Sequence, residues 1–224
     1  MSLILYYTFR IRNRKRVFII QNIIFDADGT LWDTTEVVAR AWNKAISEVG
    51  GTAAVVNAAV LKKEFGRTMK VIADDLFYDA DERQKELIME KCCLYEHEVL
   101  EKNTANLLFP EVVETIKKLS ERYQLFIVSN CQSGYIELFM KKAGIESYIK
   151  DWECFGDTGR GKGENIMLLI KRNNLTDAVY VGDTQGDYEA TQMAQIPFIF
   201  AEYGFGHVES CERIISGIKE LLNL

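Results

Sequence analysis

Ile23-Ile24-Phe25-Asp26-Ala27-Asp28-Gly29-Thr30-Leu31-Trp32-Asp33-Thr34 decides how this 224-residue chain is read. An apolar, β-rich run stops abruptly at two carboxylates spaced two apart, and Gly-Thr follows. In an extended backbone, residues i and i+2 point the same way. If the backbone stays near-extended past Phe25, Asp26 and Asp28 both face the crevice beyond the strand's C-terminal end. Open parallel α/β sheets place their ligands there. Two carboxylates so close repel, so one must be protonated or a cation must sit between them. Alone, the stretch is equally a strand leading into a turn, since Asp and Gly are common turn residues. The rest of the chain separates the two readings.

Downstream of Thr34 the pattern turns helical. Val37, Val38, Ala41, Trp42, Ala45, Ile46 and Val49 recur at the spacing of an amphipathic face, and Gly50-Gly51 ends it. Residues 56–65 and 69–76 read as two short helices joined by Gly66-Arg67-Thr68. Residues 81–100 read as a long one, with Asp81 as N-cap and Leu87, Ile88, Cys92, Tyr95 and Val99 on one side. Trp32 and Trp42 read as packing residues. Nothing between 35 and 104 looks like a strand, which predicts an all-helical insertion over 35–104.

From Pro110 onward strands and helices alternate. Pro110 starts a predicted helix running to Arg122. Leu125-Phe126-Ile127-Val128 and Ala178-Val179-Tyr180-Val181 are continuous apolar runs suited to strands buried on both faces. Further strands are predicted at 151–155 and 197–200, with helices at 135–143, 164–172, 188–194 and 209–222. Such alternation implies right-handed βαβ crossovers and a mostly parallel, Rossmann-like sheet. Residues 23–34 and 105–224 therefore form the expected core, with 35–104 inserted as a helical cap. Residues 1–22 read as an N-terminal extension: strand-like segments at Leu3–Ile11 and Val17–Ile20 form a β-ribbon around the basic loop Asn13-Arg14-Lys15-Arg16.

Composition narrows the function classes. A formal charge of −6 and a pI near 5.2 speak against a nucleic-acid partner, which needs a basic face. No apolar run reaches membrane-spanning length. The five cysteines form no CxxC pair, are odd in number, and read as free thiols of a reducing, cytoplasmic compartment. Cys131 reads as a buried filler.

Three apolar strands end in small polar or acidic residues: Asp26-x-Asp28, Ser129-Asn130 and Gly182-Asp183. Strand ends on one side of a parallel sheet converge in space, so the combination is more specific than any part. Taken singly, Asp183 and Asp187 read better as an N-cap and a first-turn acid of the next helix, and Ser129 as well as a strand-to-helix cap. Together the residues resemble the haloacid dehalogenase superfamily. Asp26-Ala27-Asp28-Gly29-Thr30-Leu31 looks like its first motif, Ser129-Asn130 like its second, Lys162 like its third, and Gly182-Asp183-Thr184-Gln185-Gly186-Asp187 like its fourth. Residues 35–104 resemble the helical cap of its phosphoglycolate phosphatase-like branch. Ala27, where a larger apolar residue is common, and Gln195, where glycine is usual, depart from the pattern.

The resemblance implies a phosphatase of a small phosphorylated metabolite, working through an aspartyl-phosphate. Asp26 would be the nucleophile and Asp28 the general acid and base. Mg²⁺ would be held by Asp26, Asp183, the main-chain carbonyl of Asp28 and, directly or through water, Asp187. Ser129 and Asn130, with Gly29 and Thr30 of the first motif, would bind the phosphoryl group, and Lys162 would neutralise its charge. Arg160 competes with Lys162 for that role, but Lys162 leads directly into a helix start. Asp28 favours phosphatase over dehalogenase, because an oxygen leaving group needs an acid and a halide does not. Arg67 reads either as a contact to substrate or as a solvated arginine of the helix linker. A sugar phosphomutase, distinguished by its products, and a catalytically silent binding protein are the alternatives. The expected assembly is a monomer or homodimer.

Overall fold

The computed structural model describes residues 7–11 and 14–224, with side chains from residue 19 onward. Strands β1 (Tyr7–Ile11) and β2 (Arg14–Phe18) pair antiparallel as a two-stranded sheet, with Ile11 opposite Arg14. Arg14, Lys15 and Arg16 thus lie in a strand, not in the predicted loop. Ladder hydrogen bonds come from the backbone, which basic residues supply as well as apolar ones. Leu3 to Tyr6, read as strand from the sequence, lie outside the described residues.

The main sheet contains β3 (Asn22–Phe25), β4 (Gln124–Ser129), β5 (Ile149–Cys154), β6 (Ala178–Gly182), β7 (Phe198–Ala201) and β8 (Ile214–Ile215) in the order β5-β4-β3-β6-β7-β8. All neighbours are parallel. The strand order reverses at β3, which puts the topological switch point, and its crevice, at the C-terminal end of this strand. Both faces of the sheet are covered. Ile23, Phe25, Leu125 and Ile127 enter one apolar core, while Ile24, Phe126, Val128 and Tyr180 enter the other. That alternation is the period-two geometry of strands.

The insertion that follows β3 is built of α1 (Thr35–Val49), α2 (Ala58–Glu64), α3 (Met69–Leu76) and α4 (Glu82–Lys102). Asp81 accepts from the Gln84 amide in a capping box that starts α4. The buried face of α4 is Ile88, Met89, Cys92, Glu96 and Leu100, while Leu87 is 46% exposed. The face is rotated from the predicted one, because a carboxylate occupies a position that apolar patterning passes over. The chain enters and leaves this insertion side by side: Asp33 N–H donates to the Leu107 carbonyl (2.8 Å) and Phe109 N–H to that of Leu31 (3.1 Å).

The remaining helices are α5 (Val112–Ser120), α6 (Tyr135–Ala143), the single turn α7 (Phe155–Thr158), α8 (Lys162–Asn173) and α9 (Gln185–Ala194). Pro110 does not open α5, since Glu111 behind it takes a left-handed conformation (φ 64°). α9 begins three residues before the predicted Tyr188, because Thr184 caps it by accepting from the Asp187 amide. The predicted helix at 209–222 is absent. Residues there form β8 and then a 3₁₀ helix at Ile218–Asn223. The open edge of β7 wins that contest: Phe200 N–H donates to the Arg213 carbonyl and Glu202 N–H to that of Ile215. Among the described residues no helix is long and apolar enough to cross a membrane.

Candidate active site

The first residue beyond β3 is Asp26, wholly buried, with its amide bonded to the Val181 carbonyl at 2.9 Å. Lys162, the first residue of α8, brings Nζ to 2.9 Å from Asp26 Oδ1 and 2.5 Å from Asp187 Oδ1. Arg160 is exposed and makes no such contact. One carboxylate oxygen each from Asp26, Asp183 and Asp187 lie within 4.8 Å of one another. Three buried carboxylates thus cluster beside one buried ammonium, which contacts two of them, Asp26 and Asp187. Burial pushes Asp26 up to about 6, with Lys162 opposing and Asp187 adding to the shift. Burial, then Asp187 and Asp26, hold Asp183 well above the usual carboxylate range. Burial works against the Lys162 charge, but Asp187 and Asp26 overcome it and hold the ammonium above its ordinary value.

This donor set fits a hard divalent cation. The oxygens are all carboxylates, Asp26 Oδ2 has no hydrogen-bond partner, and a cation would offset both the burial of these charges and the mutual repulsion that adds to the rise of Asp26 and Asp183. Asp187 is differently placed, because its oxygens are already engaged. Oδ2 accepts from the amides of Asp183 (3.2 Å) and Thr184 (3.0 Å) and from the Thr184 hydroxyl (2.7 Å). It pins the β6–α9 turn and Lys162 together.

Gly29 and Thr30 sit against Asp183. The Thr30 hydroxyl donates to Asp183 Oδ1 at 3.3 Å. Gly29 has φ +82°, and a Cβ there would lie 2.2 Å from Asp183 Oδ2, so only glycine fits. From the far side Phe205 N–H donates to Asp183 Oδ2 at 2.7 Å, and Tyr203 donates to the Thr30 carbonyl at 2.9 Å. The sequence marks a loop here but gives no spacing that assigns it to the site.

Asp28 takes a different environment from Asp26. Its Oδ1 accepts from the Tyr135 hydroxyl at 2.7 Å and from the Thr34 hydroxyl at 3.4 Å. Burial holds it well above the usual carboxylate range, Asp26, Glu96 and Asp183 add to this, and the Tyr135 bond opposes it. A narrow pocket adjoins it, lined among others by Arg67, Glu96, Ser129, Asn130 and Gln132. Ser129, the last residue of β4, is buried, and Asn130 Nδ2 donates to the Gly66 carbonyl at 2.8 Å, tying the α2–α3 linker to the sheet. Arg67 turns to Glu64 (3.1 Å) and to Asp75. Cys131 is buried and its thiol is pushed well up by burial, as suits a filler.

Tyr135 and Glu96 were not legible as site residues. Tyr135 reads as a core position of α6. Glu96 left one trace: it falls in register with Ile88, Cys92 and Leu100, so it is an acid on a buried stripe. It is 2% exposed, accepts from Trp42 Nε1 at 2.7 Å and Gln132 Nε2 at 3.1 Å, and burial pushes it up to about 7.

Known proteins resemble the chain over most of its length. The family described as haloacid dehalogenase-like hydrolase matches residues 23–201. A phosphoglycolate phosphatase of Yersinia pestis is 25% identical over 198 residues, covering 85% of this chain and 84% of its own. That of Aliivibrio fischeri is 27% identical over 206 residues, covering 85% and 87%. A crystal structure of a predicted phosphoglycolate phosphatase from Haemophilus somnus superposes with a TM-score of 0.79 at 20% identity, over 91% of this chain and 97% of that one. A mutant of CbbY from Rhodobacter sphaeroides, in complex with xylulose-(1,5)-bisphosphate, gives 0.76 at 17%, over 90% and 96%.

Proposed function

As the chain belongs to the haloacid dehalogenase-like hydrolases, we propose that it is a Mg²⁺-dependent phosphatase of a small phosphorylated metabolite. The observation that carries this is the buried group of Asp26, Asp183 and Asp187 around Lys162, set at the switch point of the sheet. The relatives named as phosphoglycolate phosphatases and the neighbour holding a sugar bisphosphate support the substrate size.

Asp26 attacks phosphorus through a carboxylate oxygen, and the bond from phosphorus to the leaving oxygen breaks. Lys162 neutralises charge on Asp26 and on the phosphoryl group. Asp28, kept protonated by its buried setting, passes its proton to the leaving oxygen. Tyr135 and Thr34 bond to Oδ1 and so fix the rotamer that presents Oδ2. In the second half, Asp28 takes a proton from water as the water oxygen adds to phosphorus. The aspartyl bond breaks, freeing phosphate and Asp26. Asp26, Asp183 and the Asp28 carbonyl would hold Mg²⁺, with Asp187 closing the carboxylate group behind them. Bound there, the ion supplies charge neutralisation at the phosphoryl oxygens. Ser129 and the Asn130 amide hold the phosphoryl group, and helices 35–102 act as the cap that excludes water.

Phosphate release from a panel of phosphorylated metabolites, with Mg²⁺ and with chelator, tests this reading. Turnover with Mg²⁺ that Asp26→Asn abolishes is expected; turnover by that variant at the wild-type rate overturns the nucleophile assignment. Appearance of an isomeric sugar phosphate in place of free phosphate would make the chain a mutase.

A further inference from the structure

We propose that the pocket beside Asp28 selects a neutral, hydroxyl-bearing leaving group and rejects one that carries a carboxylate, with Glu96 setting the preference. The inference rests on the phosphatase reading, since the pocket matters as the place into which Asp28 releases the alcohol. Its lining offers acceptors and no free positive charge. Glu96 is a buried carboxylate whose two partners, Trp42 Nε1 and Gln132 Nε2, are both neutral. A carboxylate accepts about four hydrogen bonds, so Glu96 has capacity left for ligand hydroxyls. Gln132 Oε1 and Asn130 Oδ1 are buried on the same wall without hydrogen-bond partners. Buried acceptors of that kind are costly until a donor meets them, and hydroxyls are donors.

A carboxylate on the leaving group would meet the opposite. It would sit near Glu96 and Asp28 among Phe65, Met69 and Ile72, where the apolar surround screens repulsion poorly. Arg67 is the single cation among the lining residues, and Glu64 and Asp75 already hold it. Glu96 is a specificity residue in this account, not a catalytic one, so its signature is a ratio between substrates.

Three phosphate esters with the same two-carbon chain isolate the effect: hydroxyethyl phosphate, phosphoglycolate and phosphoethanolamine. With wild-type protein and Mg²⁺ at about pH 8, kcat/KM for the hydroxyl ester is expected to exceed that for phosphoglycolate by about tenfold or more. Glu96→Gln should shrink that ratio about fivefold, chiefly by a gain on phosphoglycolate. A wild-type preference for phosphoglycolate, or a ratio the variant leaves unchanged, overturns the proposal, and phosphoethanolamine as the fastest of the three overturns the hydroxyl assignment. If Glu96→Gln does not fold, the wild-type ratio decides alone. Hydrolysis of p-nitrophenyl phosphate serves as the reference. Its presence alongside a failed ratio sinks this inference only, whereas no hydrolysis of any ester sinks the phosphatase reading and this inference with it.

Discussion

Two buried acidic regions meet at Asp28, and they handle charge in opposite ways. On the sheet side, Asp26, Asp183 and Asp187 are held by one lysine, main-chain amides and two threonine hydroxyls. On the helical side, Glu96 is held by an indole and an amide alone. The first arrangement is short of positive charge and gains from a cation. The second keeps a carboxylate near neutrality, ionising at about 7, without one. A buried acid is thus not one kind of evidence: its donors tell whether the site expects a metal or a hydroxyl.

The largest test of the contrast is Asp26→Asn, which should lower kcat by at least about a thousandfold while circular dichroism stays that of the wild type. Asp28→Asn should cost about 10²–10⁴ with an alkyl phosphate. The loss should be far smaller with p-nitrophenyl phosphate, whose phenolate leaves without a proton; equal losses would remove Asp28 from the acid role.

Glu96 makes a prediction in stability. In the unfolded chain it ionises near 4.5 and in the fold near 7. Below about pH 4.5 both states hold the proton and the shift contributes nothing; the penalty on the fold grows up to about 7 and is full above it. Glu96→Gln should therefore match wild type near pH 4 and be more stable at pH 8, by at most roughly 3 kcal/mol, in thermal or urea melts. A gain independent of pH would deny the raised value. Mg²⁺ at about a hundred times its Kd should stabilise the protein by roughly 2.7 kcal/mol, and Asp183→Asn should erase that shift. The smallest effect is expected at Gln195, which caps α9 in a left-handed conformation (φ 57°). Gln195→Gly should stabilise by about 1 kcal/mol or less, measured as a small rise in Tm.

The contrast also explains what the sequence made legible. Asp26, Ser129 and Asp183 stand at or just past the ends of buried parallel strands, and such ends converge whatever the loops do, so apolar runs with polar stops were enough to place them together. Lys162 was singled out by the family resemblance, and its place at a helix start favoured it over Arg160. Glu96, Tyr135 and Phe205 depend on how helices and loops pack across the sheet ends. On α4 the apolar pattern itself pointed to a face rotated from the buried one. The C-terminal segment shows the same limit: a helical period at 209–222 lost to the hydrogen bonds offered by an open sheet edge.

The paired crossing at Asp33 and Leu107 has a further consequence. Because the two ends of the helical insertion are one hydrogen bond apart, the core's path is nearly continuous across them. In engineering terms, residues 34–106 form a cassette with adjacent terminals. A short bridge from Asp33 to Leu107 could replace it while leaving every strand of the main sheet in its own register, and a different cassette could be spliced in at the same seam.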